Sequence, residues 1–111
     1  MTDKDGAQLE RLFETIQSRQ GGDAQVSYTA RLLAEGLGAI AAKVTEEAAE
    51  TAAAALGEPA LRVAAESADL LYHLLVLWVA VGVEPGDVWE ELARREGTSG
   101  LAEKQARGDR D

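Results

Sequence analysis

Four acidic residues stand in mirror-image positions about one turn: Glu47 and Glu50 before Gly57-Glu58-Pro59, Glu66 and Asp69 after it. Counted from Glu58, Glu50 and Glu66 are equally distant, and so are Glu47 and Asp69. If the two flanking alanine-rich stretches fold as antiparallel helices, the two pairs lie level. Within each pair the i, i+3 spacing puts both carboxylates on one helical face, with Cβ atoms about 5–6 Å apart. Four carboxylates brought together in this way repel one another unless a cation holds them. An all-oxygen donor set suits Mg²⁺ or Mn²⁺ rather than zinc.

Acidic residues are also common on solvated helix faces, so the neighbours have to decide. Ile40, Val44, Glu47 and Thr51 recur at helical spacing, which assigns Glu47 to an inward-facing stripe. Asp69 is the only acid between Ser67 and Val83. An unpaired buried carboxylate costs several kcal/mol or is driven to protonate, so an acid in either place calls for a partner. Small side chains at Ala48, Ala49, Ala52, Ala53, Ala64, Ala65 and Ala68 are expected to let the helices approach closely enough for both pairs to share one ion.

Positioning these acids requires an all-α scaffold of about five helices, and the sequence reads that way throughout. Leu9, Leu12, Phe13 and Ile16 mark an amphipathic helix between Asp5 and Gln20, ended by Gly21-Gly22. Ser27 caps a short helix through Leu33, stopped by Gly36 and Gly38. Two longer helices, about Leu37 to Leu56 and Pro59 to Val81, form the central antiparallel hairpin that carries the acids. After the turn Val83-Glu84-Pro85-Gly86, a last helix spans Asp87 to Glu96, with Val88, Trp89 and Leu92 turned inward. Residues 1–97 then make one domain, and residues 98–111 read as a flexible, dispensable tail whose only large apolar side chain is Leu101.

Composition narrows the function classes. A chain of 111 residues supports one modest core. With no cysteine there is neither a disulfide framework nor a thiolate zinc site, and the lone His73 excludes a multi-histidine centre. A formal charge of −9 argues against a nucleic-acid or anionic-membrane surface. The polar N-terminus has no signal-peptide character, and the apolar run Leu70 to Val83 is too short to span a bilayer, so a cytoplasmic location is expected. Leu70, Leu71, Leu74, Leu75, Val76, Leu77, Trp78, Val79 and Val81 cover the whole circumference of the fourth helix. Such a helix must be covered all round. Two arrangements do this: a homodimer that buries Leu74, Leu77, Trp78 or Val81 against the symmetry mate, or a fully internal central helix.

The segments Lys43-Val44-Thr45-Glu46-Glu47-Ala48-Ala49-Glu50 and Glu66-Ser67-Ala68-Asp69-Leu70-Leu71-Tyr72-His73 resemble the all-α nucleoside-triphosphate pyrophosphatase superfamily. Ser27-Tyr28-Thr29 followed by Arg31-Leu32-Leu33, together with Asp69 to Leu75, resembles within it the phosphoribosyl-ATP pyrophosphatase family of histidine biosynthesis, over about Leu9 to Arg95. Thr45 departs from the pattern, since glycine usually precedes the paired glutamates. Nothing resembles the cyclohydrolase domain to which the family is sometimes fused.

The resemblance implies Mg²⁺-dependent hydrolysis of the bond between the α and β phosphates of phosphoribosyl-ATP, giving phosphoribosyl-AMP and pyrophosphate. Clustered divalent ions suit that chemistry because they neutralise phosphate charge and activate water near neutral pH. Glu47, Glu50, Glu66 and Asp69 are the expected metal ligands. Glu46, about 100° round the helix from Glu47, is a candidate to orient the attacking water or bind a second ion, against an ordinary solvated role. Lys43 is the leading phosphate contact, against a plain i, i+4 ion pair with Glu47. Ser27, Tyr28 and Arg31 are candidate substrate contacts; helix capping for Ser27 and core packing for Tyr28 are the structural alternatives. His73, one turn past Asp69, is placed to hydrogen-bond a ligand carboxylate or to sit satisfied in the core. Two other functions stay open on these residues: a housecleaning pyrophosphatase for a noncanonical nucleotide, and a non-enzymatic helical interaction module.

Overall fold

A computed structural model describes residues 4–97 and 100–108, the side chains of Ala102 and Glu103 excepted. The described residues form six helices and no strand: α1 (Ala7–Ser18), α2 (Tyr28–Glu35), α3 (Leu37–Gly57), α4 (Ala60–Val81), α5 (Pro85–Arg95) and α6 (Gly100–Ala106). The all-α architecture expected from the alanine and leucine pattern is present. The antiparallel pair α3–α4, joined by the short Glu58-Pro59 connection, is its centre.

Several helix ends have a clear local cause. Ser27 caps α2, its Oγ accepting from the Ala30 N–H at 3.0 Å. Between α2 and α3 the single residue Gly36 takes φ 99°, a conformation that side-chain-bearing residues rarely adopt, and the chain turns directly from one helix into the next. At the end of α4, Gly82 is left-handed, and the Val83 N–H reaches back to the Trp78 carbonyl at 2.9 Å, which closes a Schellman turn. Pro59 stands at the N-cap of α4 rather than inside its first turn.

The core lies toward the end of the hairpin that α1 and α2 cover. Phe13 and Ile16 of α1, Leu32 of α2, Ile40 of α3 and Leu75, Val76 and Val79 of α4 form one buried cluster. Ile40, Leu75 and Val76 are fully buried, each stabilising the fold by about 1.5–3 kcal/mol relative to exposure. From α4, Trp78 meets Trp89 of α5 edge-on at 6.2 Å, and the Trp89 indole N–H donates to Glu10 of α1 at 3.2 Å.

Several expectations are corrected. Helix α2 runs to Glu35, two residues past Leu33, because its stop is Gly36. Helix α5 starts at Pro85 rather than Asp87: proline fits a first helical position, and the Asp87 carboxylate accepts from the Glu84 N–H at 2.9 Å. Leu92, expected inward, is 55% exposed. Within the expected tail, Gly100–Ala106 form the helix α6, with Leu101 exposed, which leaves the expectation of a dispensable tail as it stands; residues 98, 99 and 109–111 lie outside the described residues.

The seven alanines expected to bring α3 and α4 together are all exposed, and the alanine that α3 buries is Ala54. Helix α4 is not a fully internal helix either: Leu61, Leu71 and Val81 are exposed, while Leu74, Leu77 and Trp78 are half-buried. Among the described residues one helix, α4, is long and apolar enough to cross a bilayer, at 22 residues and a mean hydropathy of 1.4 in its most apolar stretch, so it is longer than the Leu70–Val83 run suggested. It is, however, one arm of the hairpin and carries Arg62, Glu66 and Asp69, charges that a lipid-facing helix would bury at a cost of several kcal/mol.

Candidate active site

The middle of the hairpin joins the two acidic segments. From α3, Glu47 is buried on the same stripe as Ile40 and Ala54, the spacing of two helical turns that faces α4. From α4, Glu66 is half-buried and Asp69 exposed. One carboxylate oxygen from each of Glu47, Glu66 and Asp69 lies within 4.8 Å of the others. Glu66 Oε1 accepts from the Arg62 guanidinium at 2.6 Å, whereas Glu66 Oε2 and Glu47 Oε2 are both buried without a hydrogen-bond partner.

Those two orphaned oxygens test whether the site fits a cation. A buried carboxylate oxygen that has lost water and gained no donor is costly, and the cost is relieved by an ion bound between the acids. Three converging carboxylates and no nitrogen or sulfur donor make a hard, all-oxygen set, which fits Mg²⁺, Mn²⁺ or Ca²⁺ in kind. The acidic cluster can therefore hold a metal ion.

Glu50, the fourth expected ligand, is not one of the converging three. It is exposed, one turn along α3, at the rim of the cluster. The like charge of Glu47 holds its carboxyl above the ordinary glutamate range; desolvation, a hydrogen bond with Glu47 and the charge of Glu46 act in the same direction, while a hydrogen bond with Glu66 opposes them. Repulsion from the neighbouring acids, Glu47 first, is thus the main cause of that rise.

The neighbouring cations and aromatic groups come from three helices: Tyr28 and Arg31 from α2, Lys43 from α3, Tyr72 and His73 from α4. Lys43 does not pair with Glu47 but with Glu46, Nζ to Oε2 at 3.3 Å. The Glu46 hydrogen bond, with the charge of Glu46, the Tyr28 oxygen and Glu47 behind it, holds the Lys43 ammonium above its ordinary range. Glu46 itself is exposed. Ser27 is the N-cap of α2. Tyr28, rather than packing in the core, is 43% exposed, with the Arg31 guanidinium 5.4 Å from its ring centroid.

His73 is buried, and its bonds go elsewhere than to a ligand carboxylate. Nδ1 lies 2.8 Å from the main-chain carbonyl of Asp69, and Nε2 lies 3.2 Å from the Tyr28 hydroxyl. Next to that contact, Thr29 Oγ1 hydrogen-bonds the Tyr72 hydroxyl, and Tyr72 packs edge-on against His73 at 4.9 Å. Two consecutive residues of α2 thus bind two consecutive residues of α4. Sequence reasoning singled out both segments but gave Thr29 and Tyr72 no role. Arg62 was missed altogether, although its i, i+4 spacing to Glu66, and from Glu58, was the available signal. Thr45, the residue that departs from the family pattern, is exposed on α3 and donates its hydroxyl to the Ala41 carbonyl at 3.2 Å, so it leaves the helix and the neighbouring acids in place.

The chain matches a family profile described as phosphoribosyl-ATP pyrophosphohydrolase over residues 9–96. It is similar to proteins named phosphoribosyl-ATP pyrophosphatase from several bacteria. The relative from Parvibaculum lavamentivorans is 58% identical over 96% of this chain and 97% of its own length. That from Azospirillum brasilense is 56% identical over 91% of both chains, and that from Caulobacter vibrioides is 55% identical over 89% of this chain and 92% of its own length. With the profile spanning α1 to α5 and identity above one half along nearly the full length of these relatives, the chain belongs to the phosphoribosyl-ATP pyrophosphohydrolase family.

Proposed function

We propose that the protein hydrolyses phosphoribosyl-ATP to phosphoribosyl-AMP and pyrophosphate, the second step of histidine biosynthesis, in the cytoplasm and with Mg²⁺ or Mn²⁺ as cofactor. The observation that carries this reading is the convergence of Glu47, Glu66 and Asp69 with two buried carboxylate oxygens left unpartnered, in a chain of this family. When bound, the divalent ion supplies neutralisation of phosphate charge and acidification of water.

The chain's own residues divide the remaining work. Glu47, Glu66 and Asp69 would hold the ion, with Glu50 beside Glu47 and Glu66 as a further carboxylate donor. Arg62 fixes the orientation of Glu66 through its bond to Oε1, which leaves Oε2 facing the cluster. Lys43 and Arg31 bring positive charge to the face where a polyphosphate must overcome a net charge of −9. Glu46 keeps Lys43 in place and is the candidate for orienting water. Water adds across the α–β anhydride, and pyrophosphate leaves as a unit.

A homodimer is part of the same proposal. Leu56, Leu61 and Leu71 are 90%, 84% and 40% exposed on the hairpin, among the exposed alanines of α3 and α4. Apolar surface of that kind on a small protein is characteristic of an interface. Steady-state assay against a nucleotide panel tests the substrate assignment: kcat/KM for phosphoribosyl-ATP exceeds that for any ordinary or noncanonical nucleoside triphosphate by orders of magnitude. A higher kcat/KM for a noncanonical triphosphate would instead make this a housecleaning enzyme.

A further inference from the structure

The contacts of His73 determine where the Tyr28 proton lies. His73 is 6% exposed, and its Nδ1 faces the Asp69 main-chain carbonyl at 2.8 Å. A carbonyl oxygen carries no proton, so in the neutral ring Nδ1 is the protonated nitrogen and Nε2 has only a lone pair. The 3.2 Å contact between Nε2 and the Tyr28 hydroxyl then requires the tyrosine to donate. With its single proton committed to His73, the Tyr28 oxygen has only lone pairs to offer a ligand.

We infer that His73 is a positioning residue that makes Tyr28 an acceptor, so that Tyr28 reads a donor on the nucleoside part of the substrate, a ribose hydroxyl or an amino group, and not a phosphate. This rests on the proposed nucleotide chemistry of the site. A phosphate ester oxygen presented to Tyr28 would set lone pair against lone pair. The groups around Tyr28 that suit phosphate are the cations, Arg31 over its ring and Lys43 within electrostatic reach of its oxygen. The adjoining Thr29–Tyr72 hydrogen bond holds the first turn of α2 against α4, so the tyrosine oxygen is presented at a fixed distance from the acids carried by the same helix. Phosphate recognition and nucleoside recognition are thereby divided between neighbouring side chains.

Steady-state kinetics with the divalent ion present, together with competitive inhibition by inorganic tripolyphosphate, test the inference. One hydrogen bond is at stake, so Tyr28→Phe raises KM for phosphoribosyl-ATP about three- to tenfold and leaves kcat nearly unchanged. His73→Leu, which removes the acceptor, has the same effect, and the double variant is no worse than either single one. His73→Gln, which restores an acceptor near the Nε2 position, recovers most of the loss. The Ki of tripolyphosphate, which has phosphates but no nucleoside donor, is the same in wild type and Tyr28→Phe. A tripolyphosphate Ki that rises with Tyr28→Phe, or additive losses in the double variant, would overturn the assignment. If His73→Leu does not fold, Tyr28→Phe and His73→Gln still decide it. Should wild-type protein show no release of pyrophosphate from phosphoribosyl-ATP, the fault lies with the proposed reaction and not with the role of Tyr28.

Discussion

At the scale of single residues, the account turns on carboxylate oxygens that lack partners. Glu47 Oε2 and Glu66 Oε2 are buried and unpaired, and their neighbours Glu50 and Asp69 add like charge. Divalent metal that binds only the folded arrangement must therefore stabilise it. Wild-type protein is expected to melt several degrees higher in millimolar Mg²⁺ or Mn²⁺, and Glu50→Gln weakens that response. Glu47→Gln raises the metal-free melting temperature, because about 1 kcal/mol of relieved repulsion corresponds to about 4–8 °C in a domain of this size, and it abolishes the metal response. A wild-type melting curve unmoved by metal would remove the site. The acids themselves were legible from their mirror symmetry about Glu58 and from the place of Glu47 on the core stripe. The bonds of His73 and the Lys43–Glu46 pair were not, since i, i+3 and i, i+4 partners compete on one helix and only side-chain rotamers settle which pair forms.

At the scale of the elements, boundaries followed the residues with the strongest conformational demands. Gly36 and the Ser27 cap were readable because each does something its neighbours cannot. Pro85 reads as part of a turn because proline serves turns and first helical positions equally well; the signal that selects the helix is the local capping box between Glu84 and Asp87, three residues apart, which the turn reading passed over. α5 also carries the clearest titration in the molecule. Hydrogen bonds from Arg94 and then Arg95 hold the Glu91 carboxyl down at about 2, well below the usual 4.5. Because the folded value is depressed, whatever this cluster contributes to stability is complete above pH 4.5 and lost as pH falls toward about 2. The groups are solvent-exposed, so the contribution is small and screened by salt. Carbon-13 NMR of the side chain should show Glu91 titrating near 2, returning toward 4.5 in the Arg94→Ala, Arg95→Ala double variant; a midpoint near 4.5 in wild type would show that the cluster is not formed in solution.

At the scale of the whole molecule, the uncovered apolar surface takes in Val81 of the expected set and adds Leu56, Leu61 and Leu71. Periodicity alone showed that α4 needs cover on every side but could not say which side the chain itself supplies. α1, α2 and α5 take the face bearing Leu75, Val76, Val79 and Trp78, which leaves Leu61, Leu71 and Val81 with Leu56 of α3 outside. The proposed dimer is accordingly expected to be disrupted by Leu61→Glu with Leu71→Glu more than by substitution at Leu77 or Trp78, which would instead damage the core. Sedimentation velocity at micromolar concentration checks this. A wild-type monomer, or a dimer indifferent to the two charges, would show that this surface has another purpose.

Glu47, Glu66 and Asp69 are proposed to hold a divalent ion for cleavage between the α and β phosphates. Phosphorus NMR of the reaction with phosphoribosyl-ATP, with and without Mg²⁺ and with Glu47→Gln in parallel, tests it most directly. The account predicts pyrophosphate and phosphoribosyl-AMP in equal amounts from wild type with metal, none without metal, and turnover lower by orders of magnitude in the variant. Orthophosphate as the primary product, or near-wild-type turnover by Glu47→Gln, would contradict it.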